Sequence, residues 1–326
     1  MKGKILVTGA GGFIGSHLTK VLVRNGFSVR AFLRYNAKSD IGNLKLLPEE
    51  ILKKIEIFFG DVRDFDTVKR AVRGCKYVFH LAALISVPYS YDAPRSFFDT
   101  NVLGAMNVFQ AALDKGVERV VVMSTSEVYG TAKKIPITED HPICAQSPYA
   151  ASKIAADKLA ESFHLTYYLP VTIIRPFNTY GQRQSARAVI PNIILQALDS
   201  SSIKLGFADS MRDFLFVYDT VPGIIECGLA KNTVGETLNL ATSRGASIKE
   251  IVQIVGKILG KKLRIVNEKG RMRPKKSEVI RLIGSYKRAK QLCGWEPKIS
   301  LEEGLEKTIV WIKENKDFYK MKGYIV

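Results

Sequence analysis

A tyrosine and a lysine four residues apart are the first residues whose types and spacing predict chemistry. The segment SPYAASK places Ser147 and Pro148 where an N-cap and a first helical residue are expected. Tyr149 and Lys153 should therefore lie on one face of a helix. A nearby ammonium favours tyrosinate, so we expect Lys153 to lower the pKa of Tyr149 and make it a general base.

A second group of reactive side chains follows a run of valines at residues 120–122. The apolar run predicts a buried strand, and Thr125, Ser126 and Glu127 come directly after it in the string TSEVYG. Ligands of α/β proteins bind at the carboxyl ends of strands, so these three side chains are candidate catalytic residues.

Glycines near the N-terminus predict a phosphate site. The string VTGAGGFIGSH places Gly9, Gly12 and Gly15 between a predicted strand and a predicted helix, with Phe13 and Ile14 at the start of that helix. Glycine lets the backbone approach a pyrophosphate, whose charge then lies at a helix N-terminus. We predict dinucleotide binding here rather than a merely structural turn, and an oxidised nicotinamide near Tyr149 would, like Lys153, favour its tyrosinate.

The end of the second predicted strand indicates which dinucleotide binds. NAD sites usually carry an acid there and NADP sites a cation. The string VRAFLRYNAK has no acid but has Arg34, Asn36 and Lys38, which favours NADP over NAD; alternatively, Arg34 is a solvated arginine beside the site. Further cofactor contacts are expected after the third and fourth strands, from Asp61, Val62, Leu81, Ala82 and Ala83.

Alternating apolar strands and amphipathic helices in the first half predict an α/β fold with a doubly wound parallel Rossmann sheet. The predicted strands are residues 4–8, 28–33, 55–59, 77–80, 119–123 and 171–175. Beyond these, a short strand at 214–217 and helices at 247–259 and 301–315 predict a smaller C-terminal α/β lobe. We expect a cofactor domain at residues 1–176 and a ligand lobe at 177–326, with some segments of the lobe returning to the first domain.

Composition limits the remaining classes. The chain has 326 residues, 46% of them hydrophobic, and no apolar run near membrane-spanning length, so we expect a cytoplasmic protein without membrane insertion. Its four cysteines are far apart in sequence and its four histidines form no ligand-spaced cluster. Free thiols and the absence of a metal site are the expectation.

The net charge of +18 is partly concentrated at residues 257–290, which contain thirteen lysines and arginines against two glutamates. This segment lacks aromatic interleaving and any nucleic-acid reader motif, so a nucleic-acid partner is disfavoured. We interpret it as a solvated basic face that partly serves a phosphorylated ligand.

Six ordered strings, TGAGGFIG, GDVRD, HLAA, TSEVYG, YAASK and RPFNTYG, resemble the extended short-chain dehydrogenase/reductase family, specifically its nucleotide-sugar epimerases, dehydratases and decarboxylases. The resemblance implies a tightly bound, recycled NAD(P) and a nucleotide-sugar substrate. It implies that Tyr149 takes the proton of the sugar O4, that Thr125 bonds O4 and that Lys153 holds the nicotinamide ribose. It also adds Asn101 and Pro176 to the cofactor site.

The resemblance further implies the substrate-side residues. Those expected at the nucleotide and diphosphate are Asn178, Val189, Arg212, Arg273 and Glu278. Those expected to recognise the sugar are Ser86, Tyr89, Tyr91, Arg183 and Arg187. A homodimer built from helices beginning near Asp99 and Tyr149 is also implied.

Glu127 occupies the position of the dehydratase base, whereas Ser126 stands where many hexose 4,6-dehydratases have an acidic aspartate. Segments 84–94 and 178–194 resemble most closely UDP-N-acetylglucosamine 4,6-dehydratases of legionaminic, pseudaminic and related surface-sugar pathways. The favoured expectation is dehydration of a UDP-N-acetylhexosamine. UDP-sugar 4-epimerisation and UDP-glucuronate decarboxylation stay open, while the Tyr149 and Lys153 pair disfavours a non-enzymatic dinucleotide sensor or polyanion binder.

Overall fold

The computed structural model describes residues 2–268, 274 and 276–319. Its strands, in chain order, are β1 (Lys2–Thr8), β2 (Phe27–Arg34), β3 (Ile55–Gly60), β4 (Tyr77–His80), β5 (Arg119–Met123), β6 (Val171–Pro176), β7 (Asn178–Tyr180), β8 (Ser202–Leu205), β9 (Met211–Phe216), β10 (Thr237–Leu240), β11 (Gly245–Ser247), β12 (Arg264–Asn267) and β13 (Arg281–Leu282).

The helices in the same residues are α1 (Phe13–Arg24), α2 (Glu49–Leu52), α3 (Phe65–Val72), α4 (Val87–Asp92), α5 (Pro94–Phe98), α6 (Gly104–Asp114), α7 (Pro148–Tyr167), α8 (Val189–Asp199), α9 (Val217–Leu229), α10 (Ile248–Leu259), α11 (Lys287–Cys293) and α12 (Leu301–Glu314). A π-helical turn, Asp99–Leu103, joins α5 to α6. A 3₁₀ turn, Ser126–Tyr129, follows β5.

Within the described ranges, a seven-stranded sheet has the order β10-β6-β5-β4-β1-β2-β3, and every neighbouring pair in it is parallel. The strand order reverses beside β1, as in a doubly wound sheet. The predicted α/β fold and the six predicted strands are confirmed. The seventh strand, β10, was missed because its four residues are too few to show a period.

Strand β10 comes from beyond residue 176 and pairs with β6, where Leu238 lies opposite Ile174. A segment of the C-terminal half thus returns to the first sheet. The exact division of the chain at residue 176 stays a prediction.

Hydrophobic side chains cover both faces of this sheet, as a parallel sheet requires. Leu18 and Leu22 of α1 and Ile224 of α9 are buried on one face. Val108 of α6 and Ala160 of α7 are buried on the other. The sheet is therefore held rigidly, and the loops at its carboxyl edge start from fixed points.

The C-terminal half builds a smaller sheet around β9, which confirms the predicted strand near residue 214. Strands β7 and β13 pair with β9 in parallel and β11 pairs with it antiparallel. Because β7 follows β6 directly, Asn178 lies where the two sheets meet. None of the helices in the described part of the chain is both long and apolar enough to span a lipid bilayer.

Candidate active site

The glycine turn between β1 and α1 forms a narrow cradle. Gly9 has a φ of +72°, and a Cβ on it would come within 2.8 Å of the Ala82 backbone nitrogen. A Cβ on Gly15 would clash with the Gly9 carbonyl oxygen. Gly12 is the N-cap of α1 and makes no side-chain cap, so the first N–H groups of this helix are available to an anion. These residues fit the pyrophosphate of a dinucleotide.

The loop after β4 is fixed against this turn by Thr8. The Thr8 Oγ1 accepts hydrogen bonds from the backbone N–H groups of Leu81 and Ala82, both at 3.1 Å, and lies 2.9 Å from His80 Nδ1. Burial, assisted by the Lys153 ammonium, lowers the pKa of His80 to about 3, so its imidazole is neutral. Leu81, Ala82 and the following Ala83 could therefore flank a bound dinucleotide.

Asn101 holds the next part of the same loop. Its side chain accepts from the Leu84 N–H at 2.8 Å and donates to the Leu84 carbonyl and to Ser152 Oγ. Its amide is thus occupied within the protein, and Asn101 positions the loop rather than offering a free amide to the cofactor. It lies in the π-helical turn, an irregularity that often marks functional sites and that sequence periodicity did not reveal.

Side chains of opposite charge lie at the carboxyl ends of β2 and β3. Hydrogen bonds from Arg63, with a smaller contribution from the charge of Arg34, lower the pKa of Asp61, and Arg34 itself is exposed. Asn36 uses its side chain to close its own loop on Asp40, whereas Lys38 is exposed. Val62 is buried beside Gly104. Arg34 is thus the cation of this group best placed to meet a ligand.

Tyr149 and Lys153 lie where the sequence predicts them, in the first turns of α7. The Ser147 hydroxyl caps this helix by accepting from the Ala150 N–H at 3.1 Å. A hydrogen bond joins the Tyr149 phenol to Thr125, and the Phe97 ring packs edge-on against Tyr149 at 6.1 Å between centroids. The helix start and the end of β5 therefore share one small site.

The protein's own residues do not lower the pKa of Tyr149 as expected from Lys153, whereas the effect expected of an oxidised nicotinamide stays a prediction. Burial raises the pKa of Tyr149 to about 12, against the smaller opposing effect of the Thr125 hydrogen bond. Lys153 is buried, and its ammonium donates to the Met123 carbonyl at 2.5 Å instead. Desolvation outweighs the effect of Thr125 because a phenolate held away from bulk solvent loses its hydration.

Glu127 belongs to the same site. Its backbone N–H donates to Thr125 Oγ1 at 3.2 Å, which fixes the 3₁₀ turn after β5. Its carboxylate is close enough to Tyr149 to contribute to the raised pKa of that phenol. Thr125, Glu127 and Tyr149 are all partly exposed, whereas Ser126 is 3% exposed and lies on the buried side of the turn. The catalytic role of Ser126 stays a prediction.

A buried polar network behind Lys153 was missed by sequence reasoning. Asp157, one turn beyond Lys153, accepts from Ser124 Oγ at 2.8 Å and pairs with Arg175 at 3.0 Å. Arg175 also donates to the Tyr129 hydroxyl at 3.0 Å, which places Tyr129 in the core as a positioning residue. The four-residue spacing of Tyr149, Lys153 and Asp157 was the available signal, since i and i+4 share a helix face.

The substrate side brings distant residues together. Arg212, 5% exposed on β9, has its Nη2 3.4 Å from Glu278 Oε1. Tyr91 of α4 shares a 2.6 Å hydrogen bond with Ser277, the neighbour of Glu278. These contacts between the two segments, which the sequence did not predict, form one polar wall. Arg273 lies outside the described residues.

The remaining predicted substrate residues occupy varied positions. Ser86 caps α4 with a φ of +86°, and Tyr89 is exposed beside Phe97. Val189 begins α8 and Arg187 is exposed just before it.

Arg183 is not on the sugar side. Its guanidinium donates to Ser16 of α1 at 3.4 Å and its charge helps lower the pKa of His17, whose main cause is burial. Arg183 thus fastens the loop after β7 to the helix that starts at the glycine turn. Its sequence neighbourhood could not show this, because the contact spans two halves of the chain.

Several side chains of the basic segment at residues 257–290 make contacts within the protein. Lys261 donates to the carbonyls of Ala197 and Leu198 at the end of α8, and Lys290 pairs with Glu296. Arg288 pairs with Glu236. Part of the described basic excess therefore supports the fold.

The site combines a glycine turn that fits a dinucleotide with a tyrosine and a lysine on one helix face and a carboxylate beside them. This combination is that of a short-chain dehydrogenase/reductase. Comparison with known proteins supports this class. The family model described as GDP-mannose 4,6 dehydratase matches residues 6–308. The chain belongs to this extended short-chain dehydrogenase/reductase family of nucleotide-sugar epimerases and dehydratases.

Relatives in the family carry out several reactions. The chain is 32% identical over 326 residues to a UDP-glucuronate 4-epimerase of Thermodesulfobacterium geofontis, covering 98% of each. It is 32% identical over 338 residues to a UDP-N-acetyl-alpha-D-glucosaminuronate decarboxylase of Bacillus cytotoxicus, covering 96% of this chain and 99% of the relative. It is 30% identical to the dTDP-glucose 4,6-dehydratase DesIV of Streptomyces venezuelae, whose crystal structure contains NAD; the TM-score is 0.87, with 97% and 99% of the two chains covered.

Proposed function

We propose that the protein is a nucleotide-sugar 4,6-dehydratase that acts on a UDP-N-acetylhexosamine, with UDP-N-acetylglucosamine favoured. The observation that carries the proposal is the position of Glu127 beside Tyr149 and Thr125. Epimerisation at C4 requires one base, which takes the O4 proton, whereas 4,6-dehydration also requires a second base that takes the C5 proton. Glu127 supplies that second base.

The reaction begins with O4 of the sugar bonded by Thr125 and its proton taken by Tyr149. Because burial keeps this phenol protonated in the protein alone, the tyrosinate would depend on the positive charge of a bound oxidised nicotinamide beside Lys153. The glycine turn and the loop after β4 would hold a nicotinamide dinucleotide, which would supply a hydride acceptor for C4 and a hydride donor for C6, with no net oxidation. The 4-ketone makes the C5 proton acidic, and Glu127 removes it.

The C6 hydroxyl then leaves as water, and its proton must come from a nearby acid. We assign this proton to Glu127, which has just taken one from C5, because a serine hydroxyl such as that of Ser126 is a poor acid. A proton from solvent, relayed through Glu127, then returns to C5 as C6 becomes a methyl group, and Tyr149 gives up the O4 proton to solvent. A carboxyl group that serves first as base and then as acid replaces the aspartate expected from many hexose dehydratases.

Arg212 and Glu278 would hold the nucleotide diphosphate. A guanidinium can bind phosphate through two parallel hydrogen bonds, and a carboxylate accepts from ribose hydroxyls. Their pairing at 3.4 Å keeps both groups ordered before substrate arrives. The UDP preference is supported by the names of the two relatives that act on UDP-sugars.

For the cofactor we propose NADP over NAD, because the exposed Arg34 at the end of β2 can meet a 2′-phosphate. Arg34→Gln should weaken NADP binding about tenfold and leave NAD binding nearly unchanged, since one charge-assisted contact is lost. Calorimetric titration with both dinucleotides measures this. Equal losses for the two, or no loss, would contradict the assignment of Arg34.

We further propose a homodimer through the start of α6. Leu103 and Met106 are 47% and 40% exposed there, and Phe98 precedes them on the same surface. A dimer that buries them would convert to monomer in a Leu103→Glu/Met106→Glu variant. Light scattering after gel filtration measures the molar mass of both proteins. A monomeric wild type would refute the proposal.

A UDP-sugar 4-epimerase is the second candidate, favoured by the serine at position 126 and by the epimerase among the relatives. Decarboxylation of a UDP-glucuronate-type sugar is the third, favoured by the Bacillus cytotoxicus relative. All three reactions share the first step at Tyr149.

Mass spectrometry of products from a nucleotide-sugar panel with catalytic NADP distinguishes the candidates. Dehydration of UDP-N-acetylglucosamine gives a 4-keto-6-deoxy product lighter by one water. An unchanged mass with a galacto product would establish epimerisation. Loss of carbon dioxide from UDP-glucuronate would establish decarboxylation.

A further inference from the structure

Two cysteines that are far apart in sequence meet in the fold, away from the glycine turn and from Tyr149. Cys227 lies near the end of α9, and Cys293 is the last residue of α11. Their Sγ atoms are 2.8 Å apart. All four cysteines are free thiols, as expected, but the contact between these two could not be read from their spacing in the sequence.

Independent contacts hold the two segments together beside this pair. Trp295 Nε1 donates to the Asp219 carbonyl at 3.2 Å. The backbone N–H groups of Lys298 and Ile299 donate to the Asp219 carboxylate at 3.0 and 2.8 Å. The chain after Cys293 is therefore docked on α9 by bonds that do not involve sulfur.

The two thiols have different surroundings. Cys227 is fully buried, whereas Cys293 is partly exposed. The hydrogen bond from Cys227 lowers the pKa of Cys293 to about 7, and the same bond raises the pKa of Cys227. At neutral pH the reactive thiolate is thus Cys293, with Cys227 as a protonated neighbour in contact.

We propose that Cys227 and Cys293 form an intramolecular disulfide when the protein meets a peroxide. The Cys293 sulfur attacks one peroxide oxygen, the O–O bond breaks, and a sulfenic acid and one water result. The Cys227 sulfur then attacks the Cys293 sulfur, the S–S bond forms, and the sulfenic hydroxyl leaves with the Cys227 proton as a second water. Two thiols are oxidised by two electrons, and one hydrogen peroxide is reduced to two waters.

The bond would tie α11 and the following docked segment to α9, which packs on the first sheet. The cross-linked residues are 66 positions apart. Closing a loop of that length restricts the unfolded chain, so we expect the thermal midpoint to rise by about 5 °C. Dithiothreitol should reverse the rise.

The direct test treats the full-length reduced protein with one equivalent of hydrogen peroxide. Titratable thiols in denaturant should fall from four to two, and the intact mass should fall by two hydrogens. Tryptic digestion without reductant should yield one linked pair of peptides, residues 213–231 with residues 291–298. Four remaining thiols, a stable sulfenic or sulfinic acid, or a linkage through another cysteine would overturn the proposal.

Matched variants separate the cross-link from general oxidation. Cys293→Ser should lose both the linked peptides and the peroxide-dependent rise in the thermal midpoint. Cys75→Ser and Cys144→Ser should keep both, since Cys75 is buried elsewhere with its pKa raised by burial to about 11 and Cys144 is exposed elsewhere. If Cys293→Ser folds poorly, the same peptide analysis on Cys293→Ala replaces it; a persistent peroxide-dependent stabilisation in either variant would contradict the assignment.

Discussion

The two halves of the site are built in different ways. On the first-sheet side, the glycine turn, the end of β5 and the start of α7 present Gly9, Thr125 and Tyr149 from backbone that is fixed by parallel pairing. On the C-terminal side, Arg212 and Glu278 meet across 66 residues, and Tyr91 and Ser277 across 186. The first half is suited to chemistry at a constant geometry, and the second to recognition that can vary among relatives.

Replacing Tyr149 by Phe tests the first half most severely. The change removes the phenol that takes the O4 proton while keeping the ring against Phe97, so we expect turnover to fall by about 10³-fold with an unchanged thermal midpoint. Steady-state rates and thermal melts measure both. Tyr167→Phe, at the other end of α7, is the control and should be fully active; near-normal activity of Tyr149→Phe would show that the chemistry is elsewhere.

A fall in pH should decrease the stability contributed by buried groups on the first-sheet side and increase that contributed by Asp213 on the C-terminal side. Burial lowers the folded-state pKa of His17 to about 4 and of His80 to about 3, whereas the unfolded chain binds these protons below about 6.5. Both histidines therefore lose stabilisation as the pH falls. Burial raises the pKa of Asp213 on β9 to about 6, so the folded lobe binds a proton first and gains stability between pH 6 and 3.8.

The histidines outnumber the aspartate, so the free energy of unfolding should fall by roughly 2 kcal/mol between pH 7 and pH 5. Urea unfolding across this range measures it. Asp213→Asn removes the opposing contribution, and its pH dependence should be steeper than that of the wild type. If the free energy of unfolding of the wild type increases on acidification, the predicted difference between the two sides of the site is wrong.

Arg212→Lys is expected to have the smallest effect of these changes, and it tests whether the C-terminal side of the site recognises the substrate. The substitution keeps the charge but loses the two-pronged geometry, so KM should rise about tenfold while kcat stays within twofold. Glu278→Gln is the matched variant, because it breaks the same ion pair without removing the guanidinium. A drop in thermal midpoint with unchanged KM in both variants would mean that the pair is purely structural.

Sequence reasoning succeeded where short segments determine their own geometry. The glycine turn, the capped start of α7 and six of the seven strands of the first sheet followed from glycine placement, capping residues and apolar runs. The family resemblance extended this to Arg212 and Glu278 as members of one site, although their pairing could not be derived from spacing.

Sequence reasoning failed where burial or tertiary contact decides. The pKa of Tyr149 rises because desolvation exceeds the effect of Lys153, whose ammonium donates to the Met123 carbonyl. Arg183 contacts α1 rather than the sugar side, and Asp157 pairs with Arg175 in the core. These outcomes depend on which surfaces meet, which periodicity within one segment does not encode.

The central claim, that Glu127 removes the proton at C5, is tested most directly by running the reaction on UDP-N-acetylglucosamine in deuterated water. A dehydratase that uses Glu127 incorporates one deuterium at C5 of a product lighter by one water, and Glu127→Gln forms no such product. A wild-type product that carries no deuterium at C5, or undiminished turnover of Glu127→Gln, would contradict the account.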